Sequence, residues 1–96
     1  MLDQLTVDDF RPHVGSPFAV GDDGQDRLLE LTAAKESRAH AGAMRAGFSL
    51  LFRGARASML PQGVHRILHP TLGAMDIFLV PVGPDAQGMQ YEAIFN

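Results

Sequence analysis

Four histidines, His13, His40, His65 and His69, are the side chains of this 96-residue chain best suited to hold a metal or move a proton. His65 and His69 stand four apart in Gly63-Val64-His65-Arg66-Ile67-Leu68-His69, which reads as a strand. On a strand such residues share a face but lie about 13 Å apart along it. A shared metal would have to sit about 2 Å from each imidazole, which that separation forbids. His69 also precedes Pro70 at a turn, and His13 and His40 lie in unrelated segments. The expectation is therefore no metal site, with structural histidines that are exposed or half-buried.

The run Asp22-Asp23-Gly24-Gln25-Asp26 raises a calcium reading. Set Gly24 on the invariant glycine of an EF-hand loop, and Glu30 falls on the bidentate position. Ala19 and Gly21 then fall where liganding carboxylates are needed, and no long helices flank the loop. A plain hairpin turn is the better reading. Ser16, Ser37, Ser49 and Ser58 lack the Gly-x-Ser-x-Gly setting of a nucleophile elbow. Gly42, Gly47 and Gly54 form no phosphate loop or dinucleotide fingerprint. Asp76 and Glu92 on neighbouring strands carry little information, because any β protein can pair two carboxylates in this way. Arg38, Arg45, Arg53 and Arg56 cluster in sequence and could grip an anion, though a solvated loop and strand end explains them more simply. No catalytic constellation emerges, so the chain is expected not to be an enzyme and to carry no cofactor.

The elements that must position these residues belong to one small domain spanning 1–96. The composition is 46% hydrophobic and 20% charged, with a net charge of −3. That profile is too apolar for disorder, and its acidic balance argues against nucleic acid as a partner. The opening MLDQLTVDDF has no basic residue, so no secretory signal is read there, and no apolar run is long enough to cross a membrane. Cysteine is absent, which removes disulfides, thiol catalysis and thiolate ligands. A cytoplasmic location is expected.

Thr6 can cap a short helix, with Asp8 and Asp9 in its first turn and Pro12 ending it after one or two turns. Leu2, Leu5, Phe10 and Val14 are expected to hold that helix on a sheet. Strands are expected at Pro17–Val20, Leu28–Ala33, Phe48–Arg53, Gly63–His69, Met75–Val80 and Met89–Phe95. Hairpin turns fall at Gly21–Gly24, Pro70–Gly73 and Pro84–Gly88. Ala34–Gly47 reads as a mobile loop and Gly54–Pro61 as a connection. About six antiparallel strands with regular turn signals imply an all-β sandwich or small barrel with a short N-terminal helix.

Phe78-Leu79-Val80-Pro81-Val82 is apolar at successive positions, the pattern of a strand covered on both faces. Pro81 lacks a ladder donor and should sit at a bulge or on an unpaired side. A single sheet of this size cannot cover such a strand on both faces. Either the sheet closes, or one face meets another chain, itself or another protein. Phe78, Val80, Val82 and Ile94 are the expected interface residues, and a homo-oligomer is one outcome. The alternative is a small-molecule-binding barrel with a mouth formed by Ala34–Gly47 and Gly54–Pro61, where Arg53 or Arg56 would hold an anionic group.

The stretches FSLLFRG, LPQGVHRILHPTLG and FLVPVGPDAQGMQYEAIFN, with the opening LTVDDFRPHVG, resemble a family of small bacterial proteins grouped as a domain of unknown function. The similarity covers nearly the whole chain and is weakest over Ala33–Gly47. The resemblance extends loosely to accessory products encoded near phage-tail-collar-like proteins. The resemblance thus implies a structural or assembly role, and it supplies no catalytic residues.

Overall fold

The computed structural model of the protein describes residues 5–21, 27–36 and 47–95. Among these residues the strands are β1 (Pro17–Val20), β2 (Arg27–Glu36), β3 (Phe48–Gly54), β4 (Gly63–His69), β5 (Gly73–Asp85) and β6 (Gly88–Phe95). They run antiparallel in the order β1-β2-β3-β6-β5-β4, and β4 pairs back onto β1 to close a barrel. That last pairing decides between the expected sandwich and barrel.

The helix α1 (Val7–Phe10) is one turn long. The Thr6 N–H donates to the Asp9 carboxylate at 2.7 Å, the reciprocal half of a capping box. Pro12 follows, and the chain tightens into a 3-10 turn at Arg11–His13. Val7 and Phe10 are buried, and Leu5 packs against the core. Val14 is 45% exposed and so does not hold the helix down as expected. Leu2 lies outside the described residues. Phe10 meets Phe48 and Phe95 at centroid distances of 5.8 and 6.2 Å, and Phe48 stacks on Phe95 at 4.5 Å. The helix thus plugs one end of the barrel. From the opposite end, Leu60 inserts from the β3–β4 connection, and its N–H donates to the Tyr91 hydroxyl at 2.8 Å.

Alternation does the rest. Phe48, Leu50 and Phe52 of β3, Met75, Ile77 and Leu79 of β5, and Tyr91 and Ala93 of β6 all turn inward and are buried. Side chains fill the interior, as they do in small barrels.

Three elements differ from the sequence reading by more than one residue. Residues 34–36, assigned to a loop, continue β2: Ala34, Lys35 and Glu36 pair with Leu50, Ser49 and Phe48. Ladder pairing with a neighbour overrides the weak strand preference of alanine and lysine. Residues 37–46, and residues 22–24 of the expected Gly21–Gly24 turn, lie outside the described residues. Strand β5 runs well beyond Met75–Val80, because its first half pairs with β4 and its second half with β6. The last hairpin is tighter than Pro84–Gly88: Asp85 pairs with Gly88, leaving Ala86 and Gln87 as the turn. There the Asp85 carboxylate accepts the N–H groups of Gln87 and Gly88, each at 2.8 Å, an Asx turn. Pro81 sits beside a bulge between Pro81 and Gly83, which suits a residue without a donor.

Candidate functional site

On the outer wall, β4 and β5 pair Val64 with Phe78, Arg66 with Asp76 and Leu68 with Ala74. On the next strand Val80 pairs with Glu92. Phe78 and Ile94 each lie two residues beyond that last ladder pair, on the outward faces of β5 and β6. Val64, Phe78 and Ile94 are 61%, 50% and 62% exposed. Val80 is half-buried, and Val82, the extra residue of the bulge, is exposed. The expected interface residues therefore fall on one wall. The expectation that Phe78–Val82 is covered on both faces needs correction. Leu79 is fully buried, but a barrel is one layer thick, and nothing among the described residues lies over Phe78.

Val64 escaped the sequence reading. Its signal is parity: it alternates with His65, Ile67 and His69, which take the inner face. A second apolar row crosses the closure of the barrel, in which Ala19 pairs with both Leu28 and Leu68. Arg66 and Asp76 lie between the two rows, bonded through Nε and Oδ1 at 2.6 Å.

The histidines also require correction. His65 and His69 are both buried, not exposed or half-buried. Each can lie inside because it is hydrogen-bonded there. A ring nitrogen of His65 meets the Pro61 carbonyl oxygen at 2.8 Å. His69 Nδ1 accepts the N–H groups of Thr71 and Leu72 at 3.1 and 3.3 Å, and its Nε2 meets Ser16 Oγ at 3.3 Å. His13 and His69, assigned to unrelated segments, have ring centroids only 4.4 Å apart. Burial, and secondarily the His13 charge, hold the His69 pKa below its ordinary 6.5. Among the described residues, no three acidic, histidine or cysteine side chains gather as a metal cluster.

Arg53 and Arg56, the alternative anion-holding residues, sit in different settings. Arg53 donates from Nε and Nη2 to Asp85 Oδ2 at 3.0 and 2.7 Å, and its cross-strand partners are Glu30 and Gln90. The hydrogen bond from Arg53, helped by the N–H of Gln87, holds the Asp85 carboxyl below its usual range. Arg56 is exposed on the 3-10 turn Arg56–Ser58. Arg53 does line an open cleft of about 400 Å³, with Leu28, Glu30, Gly54 and Gln87 on its walls. Any anion entering it would compete with Asp85 for the guanidinium.

A family model described as a domain of unknown function (DUF6916) matches residues 5–95. No curated protein and no solved structure matches the chain. Among the described residues, no helix is long and apolar enough to cross a membrane. The match takes in α1, every strand of the barrel and both plugged ends, and the chain belongs to the DUF6916 family.

Proposed function

We propose that this protein is a non-enzymatic interaction domain that docks through the outer wall of β4, β5 and β6. The observation that carries this reading is the apolar row Val64, Phe78 and Ile94, each at least half exposed on neighbouring strands. A contiguous apolar patch on a folded domain marks an interface more often than chance. The sheet closes into a barrel, so docking through outward side chains of the wall fits better than extension of an open sheet.

The occupant that fits this wall is a second copy of the chain. Along β4 and β5 the outward pairs alternate: apolar Val64·Phe78, ionic Arg66·Asp76, apolar Leu68·Ala74. A two-fold axis through the central pair would lay apolar rows on apolar rows and each arginine against the other copy's aspartate. An accessory place in a larger, phage-tail-like assembly is the wider setting that the family resemblance suggests.

Charge reversal tests this reading. Arg66→Asp alone and Asp76→Arg alone should each sediment as monomers, because like charges then face each other. An equal mixture of the two should recover a dimer. A monomeric wild type, or a mixture that stays monomeric, would overturn self-association.

A second reading, small-molecule binding, rests on the cleft beside Arg53. A ligand seated there would raise the melting temperature, and Arg53→Ala would abolish the rise. No shift across a broad metabolite set would remove it.

A further inference from the structure

The barrel is held unevenly around its circumference. The β3–β6 seam runs through seven paired positions, from Phe48↔Phe95 to Gly54↔Met89. The closing seam, β1–β4, has two, Ala19↔Leu68 and Val20↔Ile67, extended by the Gly21 N–H on the Arg66 carbonyl at 2.8 Å. Ser16 immediately precedes β1, and His69 is the last residue of β4. Their contact therefore continues the short seam past its final ladder pair.

The hydrogen bonds there fit only one protonation state. His69 Nδ1 receives two backbone N–H groups, so it must carry a lone pair. The ring proton then sits on Nε2 and is donated to Ser16 Oγ. The Ser16 hydroxyl in turn donates to the His13 carbonyl at 2.8 Å. The His69 ring packs against Phe18 from β1 and His13 from the 3-10 turn, each at 4.4 Å. Phe18 and Ser16 are uncharged, the β4–β5 turn contributes backbone N–H groups, and His13 is the titratable group that faces the ring.

We propose that His69, Ser16 and His13 form an acid-released clasp on the β1–β4 closure of the barrel. A proton on Nδ1 sets an N–H against the N–H groups of Thr71 and Leu72. It also places a cation against the His13 ring 4.4 Å away, whose charge opposes it. Both changes favour a state in which His69 has swung out to water. Strand β1 stays with β2 in that state. Four ladder pairs join them, and the Gly15 N–H to Leu31 carbonyl bond at 2.7 Å lies outside the clasp. Opening therefore falls on the β1–β4 seam.

The direction follows from linkage. The closed state holds the His69 pKa below 6.5, and the opened state restores it. The opened state binds more protons, so closure weakens as pH falls through 6.5 toward the lowered value, and levels off below that. This inference does not depend on the interaction reading.

Amide hydrogen exchange on the full chain, corrected for the intrinsic pH dependence, tests it at about pH 7.5 and about pH 5, either side of an ordinary histidine pKa. Protection of the Gly21 amide and of peptides across β1 and β4 should fall several-fold, while β3 and β6 hold. His13→Gln keeps the backbone carbonyl that Ser16 uses and removes the second charge, so it should shrink the acid loss. His69→Phe keeps a ring on Phe18 and should erase it. An acid loss spread evenly over all seams, no loss, or a loss that survives His69→Phe would overturn the clasp.

Discussion

Both faces of β5 carry large apolar residues, and these meet opposite fates. Inward, Met75, Ile77 and Leu79 are 5%, 1% and 0% exposed, in the same buried core as Phe52 and Tyr91. Outward, Phe78 and Val82 are about half exposed, and Val64 and Ile94 beside them more so. Hydrophobicity alone therefore does not say which face the fold uses. The inner face holds the barrel together, and the outer face is left for something else.

Substitutions on the inner face should have the largest effect on stability. Leu79→Ala empties a fully buried site and should cost about 2–5 kcal/mol, read from the denaturant midpoint. Phe78→Ser, one residue away, should change stability by no more than about 0.5 kcal/mol, as exposed positions do. Equal costs would erase the distinction between the faces.

Gly88→Ala comes next. A Cβ at Gly88 would stand 2.3 Å from the Gly54 carbonyl oxygen, a backbone atom that cannot move without shifting β3. Overpacking of this kind should cost about 1–3 kcal/mol in the same unfolding experiment. Tyr91→Phe keeps the ring but orphans the buried Leu60 N–H, for a loss of about 1–3 kcal/mol. The smallest effect is expected at Asp85, whose pKa is depressed below 3.8 by Arg53 and the turn amides. Its contribution is present above that value and lost as pH falls through the lowered one. Asp85→Asn should flatten that part of the acid limb in a pH series of unfolding midpoints.

Much of the inner face is legible in the sequence. Pro17–Val20 and Gly63–His69 are bounded by turn residues and match the observed strands residue for residue. Phe48, Leu50 and Phe52 announce their shared face by alternation. The histidines mislead because burial depends on partners remote in sequence: Ser16 reaches His69 across 53 residues. The length of β2 was hidden for a similar reason, since Ala34–Glu36 are strand only by virtue of β3. On the outer wall, Phe78, Val80, Val82 and Ile94 stand out by their apolarity. Val64 joins them only through the β4–β5 register, which no local pattern fixes.

The most direct test is sedimentation of the wild type and of Phe78→Asp over a wide concentration range, with circular dichroism confirming that both remain folded. The wild type should pass from monomer to dimer as concentration rises, and Phe78→Asp should stay monomeric with its strand signal intact. A wild type that remains monomeric throughout, or a variant that dimerises equally well, would contradict the outer wall of β4, β5 and β6 as a self-docking face.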